Sequence, residues 1–240
     1  MTRTPGVIQH ELEARVPRRK VDYKIVTFGA GVVPNTKHIA ELHADLLPRS
    51  PLTRLGKSFM ERFYYKVLPQ QGLIFGAVAY VDGRPAGFIS ATYDSDHLLA
   101  NAVRWNVLKL AWVGLTTFPS PKRLMAIAES LGIVKSRQAK ADIPIEKLAA
   151  GLTGEVLSIG VRKSYRSAEF KMKTGLRIGA DLMSGVMAGF GKSNVVRARL
   201  IIDSKDVVAQ GFCRRYGWEP RRRAVPGWHT ASSEYLWIRR

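Results

Sequence analysis

Polar and apolar positions alternate along Tyr23-Lys24-Ile25-Val26-Thr27-Phe28, the period of a half-buried strand, and Gly29-Ala30-Gly31 stops the run. The spacing then becomes helical. Ile39, Leu42, His43, Leu46 and Leu47 recur on one face, Asn35 or Thr36 stands where a cap is needed, and Pro48 and Pro51 end the pattern. A second stripe, Leu55, Phe59, Phe63 and Val67, predicts a helix from Arg54 to Val67. Leu73 to Val81 and Ala86 to Tyr93 read as two strands around Asp82-Gly83-Arg84-Pro85, the best hairpin signal in the chain. Helical spacing returns from Leu98 to Leu115, with Leu99, Val103, Val107 and Leu110 on one face and Asn101, Arg104 and Lys109 on the other. A basic helix follows from Pro121 to Leu131.

The second half repeats the alternation of strand and helix. Val156 to Val161 is an apolar strand, and a basic, glycine-bearing loop leads from it to a helical pattern that runs to about Phe190. Val195 to Ile202 is a β-branched strand, a helix follows from Asp206, and two closing strands flank Pro226-Gly227. A helix that opens on glycines and cations presents unpaired amides and the positive end of its dipole, which suits an anionic diphosphate. Leu55-Gly56-Lys57-Ser58-Phe59 lacks the glycine-rich lead-in of a phosphate loop. The expected organisation is a basic tail at residues 1–20 and one domain at 21–240, with residues 95–153 inserted between two strands.

Composition narrows the partners. The 240 residues carry 38 Lys+Arg against 19 Asp+Glu, a net charge of +19, which favours anionic partners. No nucleic-acid motif or continuous basic helix accompanies that charge, which counts against nucleic acid. The basic insertion, with Trp105 and Trp112 two turns apart, instead suits peripheral contact with an anionic membrane surface through residues 98–140. Cys213 is the only cysteine, so an intrachain disulfide and a cysteine zinc cluster are both excluded, and no metal site is expected. Without an apolar span or a signal-peptide core, the expected location is cytoplasmic, or peripheral at the inner membrane face.

The order of elements resembles the GNAT superfamily of acyl-CoA-dependent N-acyltransferases from Tyr23 to the C-terminus, with residues 95–153 as an addition. Val156 to Val161 matches that family's central strand. Gly175, Ile178, Gly179 and Leu182 match the later part of its pyrophosphate motif, and Asp206, Ala209, Phe212, Gly217 and Trp218 match its Asn-x-x-Ala-x-x-Phe-Tyr-x-x-x-Gly-Phe pattern. His43, Pro48-Arg49-Ser50-Pro51-Leu52 and Leu55-Gly56-Lys57-Ser58-Phe59 further resemble a subgroup associated with bacterial surface-polysaccharide genes.

The resemblance implies an α/β (α+β) fold with a mixed, mostly antiparallel sheet flanked by helices. It also implies acetyl-CoA or another acyl-CoA as cofactor and a small-molecule amine, such as an amino sugar, as acceptor, and it leaves room for a homodimer. It places cofactor binding at Ile159, Gly160, Val161, Arg166, Thr174, Gly175, Arg177, Ile178, Gly179, Ala180 and Asp206. Thr174 and Arg177 depart from the family residues, and the stretch between Val161 and Gly175 is longer than the family's turn. Glu155 is a candidate base, as are His43, Asp94, Asp96 and His97. Cys213 stands where the family has a tyrosine acid, with Tyr216 and Tyr235 as other donors. The rival reading is a non-catalytic module of the same fold that binds an anionic membrane or nucleic acid.

Overall fold

The computed structural model describes residues 19–106, 151–223 and 232–239. The expectations for the N-terminal tail, for the insertion beyond Asn106 (with Trp112 and the second basic helix) and for the Pro226-Gly227 turn lie outside the described residues.

Seven strands form one sheet in the order β1-β2-β3-β4-β5-β7-β6. β1 (Tyr23–Phe28), β2 (Phe75–Val81), β3 (Arg84–Thr92) and β4 (Leu152–Val161) are successive antiparallel neighbours. β4 then pairs parallel with β5 (Val195–Asp203), and β7 (Ser232–Ile238) lies antiparallel between β5 and β6 (Glu219–Arg223). This is the mixed, mostly antiparallel sheet expected.

Helices cover both faces. On one lie α1 (Thr36–Leu46), α2 (Pro51–Leu55), α3 (Lys57–Phe59), a π-helical turn at Met60–Tyr64, α4 (Val67–Gln70) and α5 (Leu98–Arg104). They bury Ile39, Leu42, Phe59, Phe63 and Tyr65 against Val78 and Phe88. On the other face lie α8 (Ile178–Lys192) and α9 (Val207–Arg215), reached from β4 through α6 (Lys163–Arg166) and α7 (Ala168–Thr174). Here Leu182, Val186, Phe190, Cys213 and Trp218 pack on Ile89, Val156, Ala198 and Leu200.

Local chemistry accounts for the boundaries. Asn35 caps α1 by accepting the His38 N–H at 3.1 Å. The β2–β3 turn is Asp82-Gly83 alone, both residues at positive φ (49° and 72°), so Arg84 and Pro85 already belong to β3. Three expectations are corrected. The single helix from Arg54 to Val67 is replaced by α2, Gly56 at φ 90°, α3, the π turn and α4. Pro51 opens α2 rather than breaking a helix, because its missing N–H falls at the first helical turn and Ser50 caps the Leu52 N–H at 3.2 Å. The long basic loop after Val161 is also largely helical: α6 and α7 are pinned inward by Tyr165 and Phe170, whose rings meet edge to face at 5.3 Å.

Two glycines predict effects of opposite sign. A Cβ on Gly76, in the middle of β2, would stand 2.0 Å from the Ile89 carbonyl oxygen and 2.7 Å from Phe28 Cζ. Gly76→Ala is expected to lower stability by about 1–3 kcal/mol or more. A Cβ on Gly191, in the last turn of α8, would meet nothing within 4 Å. Gly191→Ala is expected to raise stability by up to about 1 kcal/mol. Urea-unfolding midpoints of the two variants check both signs.

Candidate functional site

β4 and β5 part company halfway along. Their parallel pairing runs from Leu152↔Val195 to Val156↔Leu200, whereas β4 stays paired with β3 as far as Val161↔Gly87. From Leu157 to Val161, β4 has no partner on its β5 side, and the sheet opens as a fork. Ile159, Gly160 and Val161 lie on this open edge, with backbone groups left to hydrogen-bond something that enters it. Space there is tight. A Cβ on Gly160 would stand 2.9 Å from Leu46 Cδ1 and 3.1 Å from Leu46 Cβ, so the bare backbone there lets the end of α1 lie close against the strand. Arg162, just past β4, bridges Asp45 of α1 at 3.0 Å and donates to the Pro85 carbonyl at 3.2 Å, tying the layers at the tip of the fork.

The N-terminus of α8 sits at that tip. A Cβ on Gly179 would stand 3.7 Å from Val161 Cγ2 and 3.6 Å from Phe212 Cε2 of α9. Gly175, at φ 75°, ends α7, and Thr174 braces the turn by donating to the Phe170 carbonyl (2.7 Å) and accepting the Leu176 N–H (3.2 Å). Arg177 precedes α8 without a side-chain cap. The N–H groups of Ala180 and Asp181 donate to its carbonyl at 2.7 and 3.1 Å. Among the described residues, no hydrogen bond occupies the amides of Ile178 and Gly179, which leaves two donors at the positive end of the helix dipole. Arg166 and Arg177 are exposed, and neither makes an ion pair among the described residues. These groups fit an anionic phosphate. Asp206 caps α9 by accepting the Ala209 N–H at 2.9 Å.

Glu155 lies at the base of the fork, paired in register with Thr92 on β3 and Arg199 on β5. Its Oε2 accepts from Arg199 Nε at 2.7 Å, and its side chain is only 13% exposed. Burial raises its pKa above the ordinary carboxylate value, Arg199 opposes that rise, and the nearby charges of Glu234 and Asp96 add to it. The buried Tyr64 phenol comes close enough that burial, then the Glu155 charge, push its pKa up. The fully buried Ser90 hydroxyl, on the central strand β3, lies beside the Tyr64 and Tyr65 phenols.

The other candidates are placed differently. His43 is fully buried, with Nδ1 2.6 Å from the Tyr65 hydroxyl and Nε2 2.9 Å from Ser50 Oγ. With both nitrogens engaged, burial lowers its pKa to about 4. The Cys213 side chain is 1% exposed in the core under α9, where burial, then the Asp206 charge, push the thiol up to about 12. Tyr216 is half-buried, its ring 4.8 Å from Phe212, and the buried Tyr235 donates to Gln210 at 3.3 Å. Asp94 and His97 pair with each other at 2.8 Å beyond β3. Arg199, Tyr64, Tyr65 and Ser90 escaped the sequence reading. The run Phe63-Tyr64-Tyr65, buried where the π turn ends, was the available signal.

No family model matches the sequence, and no curated protein does. Solved structures do. SsHAT superposes with a TM-score of 0.54 at 17% identity, over 90% of this chain and 98% of its own. An acetyltransferase from Streptococcus agalactiae reaches 0.51 at 13% identity, over 90% and 98% of the two chains. Arabidopsis thaliana NAA60, in complex with a bisubstrate analogue, reaches 0.51 at 15% identity over the same shares. The chain has the GNAT fold.

The buried neutral His43 makes stability depend on pH. The unfolded chain gains a proton near the ordinary pKa of 6.5 and the folded chain only near 4, so stability is full above 6.5 and is lost as pH falls toward 4. The stability gap between wild type and His43→Gln is expected to narrow by about 3 kcal/mol between those pH values. Urea unfolding at pH 7, 5.5 and 4.5 checks it.

Proposed function

We propose that this protein is a GNAT-type N-acyltransferase, which moves an acyl group, acetyl in the first instance, from acyl-CoA to an amine. The observation that carries the reading is the fork between β4 and β5, with the uncapped N-terminus of α8 at its tip. Acyl-CoA would supply the activated thioester. The amides of Ile178 and Gly179 and the charges of Arg177 and Arg166 would hold its pyrophosphate, on a turn shaped by Thr174 and Gly175, with Ala180, whose N–H is taken by the Arg177 carbonyl, beside them. The open edge at Ile159, Gly160 and Val161 would take the pantetheine arm and offer an amide to the oxyanion. Asp206 serves mainly as the α9 cap.

Glu155 is our choice of base. Its carboxylate is desolvated yet held ionised by Arg199, and a raised pKa brings it nearer to the proton it must accept from an ammonium acceptor. Cys213 makes a poor acid for the departing thiolate. Its side chain is enclosed in the core beneath α9, only 1% exposed, and burial pushes the thiol up to about 12. Tyr216, beside Phe212 at the α8 tip, takes that role instead. His43 supports the fold of the first helical layer rather than the chemistry.

For the acceptor we favour a small amine, such as an amino sugar of surface-polysaccharide metabolism. The +19 charge disfavours basic protein substrates, while Glu155, Asp96 and Glu234 give the base of the fork a local negative charge. A cytoplasmic protein, held at the inner membrane face by its basic insertion, fits this reading. No helix among the described residues is long and apolar enough to cross a membrane.

Two sets of variants test the assignment. Glu155→Gln is expected to lower kcat by ~10² or more, and wild-type kcat to fall as pH drops through a value above the ordinary carboxylate range. Cys213→Ala is expected to keep kcat within about threefold, since no proton passes through it; a ~10²-fold loss would make Cys213 the acid. Gly179→Leu, which drives a side chain into Phe212 and Val161, should weaken acetyl-CoA binding at least ~10-fold, a loss of about 1.4 kcal/mol. Gly179→Ala, whose Cβ meets ordinary contacts, should bind as wild type. Equal binding by folded Gly179→Leu would remove the phosphate site from α8.

A further inference from the structure

A cavity of about 340 Å³ opens between the β1–β2 edge of the sheet and α8, outside the fork. That is the lower end of the size range of small-molecule sites. On α8 it is bounded by Asp181, Gly185 and Gly189, one residue per turn along a single line of the helix. Gly185 costs the helix about 1 kcal/mol relative to alanine, yet a Cβ there would meet nothing within 4 Å. Packing therefore does not require this glycine, and its effect is to keep the space open. Phe75 and Tyr93 also line the cavity. Their rings stack at 4.0 Å with 7° between planes, and Phe190 closes on both edge to face. Exposed Ile25 of β1 forms the outer lip.

Among the described residues, Asp181 is the one charged residue in the lining, in a chain whose net charge is +19. Its Oδ2 accepts from the Tyr23 hydroxyl at 2.8 Å, which fixes the carboxylate, and its Oδ1 has no hydrogen bond among the described residues. An apolar trough with stacked aromatics and one oriented carboxylate selects an ammonium group on an apolar body. A carboxylate ligand would meet like charge, and a neutral one would leave the Oδ1 without a counter-charge.

We propose that this cavity is a second ligand site, separate from the acyl-transfer fork, that binds a small organic cation with an apolar body, its ammonium on Asp181 and its body between Gly185 and the Phe75–Tyr93 pair. The probes are hexylamine and benzyltrimethylammonium, with hexanoate and hexanol as controls, titrated into the full chain by calorimetry. Wild type is expected to bind both cations at least ~10-fold more tightly than hexanol and not to bind hexanoate. Gly185→Leu fills the trough from an open position, so it should fold with unchanged or higher Tm and lose cation binding. Asp181→Asn still accepts from Tyr23 but removes the charge, and should bring hexylamine down to the affinity of hexanol. Absence of cation binding by wild type would overturn the proposal. So would undiminished binding by folded Gly185→Leu, or an unchanged cation preference in Asp181→Asn. Acetyl-CoA binding, measured on the same Gly185→Leu sample, should be unaffected; its loss would merge the two sites and overturn the claim of separateness.

Discussion

The structure depends on a strand that cannot satisfy two neighbours along its whole length. β4 keeps its antiparallel ladder with β3 to the end and gives up its parallel ladder with β5 after Val156. Continuing both would close the sheet and leave no edge for a ligand. Breaking one leaves backbone groups at Leu157–Val161 whose hydrogen bonds must come from elsewhere. The surrounding sequence maintains the break. Gly160 admits Leu46 against one side of β4, Arg162 clamps α1 and β3 together at the tip, and α6 and α7 bring the chain round so that α8 begins beside Val161.

The charges follow from that geometry. Glu155 and Arg199 face each other in the last pair but one of the shared ladder, where the sheet is still closed enough to exclude water from the carboxylate but opens two residues further on. A buried carboxylate is costly without a partner, and a parallel neighbour supplies one in register. The π turn serves the same place from above. The turn buries Phe63 and Tyr64 and hands over to the buried Tyr65 at its end, which sets a phenol near Glu155 and another on the ring of His43.

Elements that declare themselves over a few residues were legible in the sequence. β1 runs from Tyr23 to Phe28 as its alternation predicts, Asn35 caps α1, Asp206 caps α9, and Asp82-Gly83 makes the hairpin turn through its two positive φ values. What was missed depends on distant contacts. The stretch from Arg162 to Thr174 is too polar to read as helix until Tyr165 and Phe170 are seen against the core. The partner of Glu155 lies 44 residues away, on a parallel strand whose register no local pattern encodes. His43 sits at helical spacing among apolar residues, and the sequence alone could not tell a cleft-lining imidazole from one enclosed by Tyr65, Phe88 and Ser50.

The central claim is that the fork holds an acyl-CoA. Calorimetric titration of acetyl-CoA into the full-length protein, with desulfo-coenzyme A and longer acyl-CoA thioesters alongside, tests it most directly. The account predicts saturable binding at micromolar concentration, retained by the desulfo compound because the pyrophosphate and pantetheine contacts are unchanged. No heat of binding at near-millimolar acetyl-CoA would contradict it and leave the fork without the ligand its open edge was argued to hold.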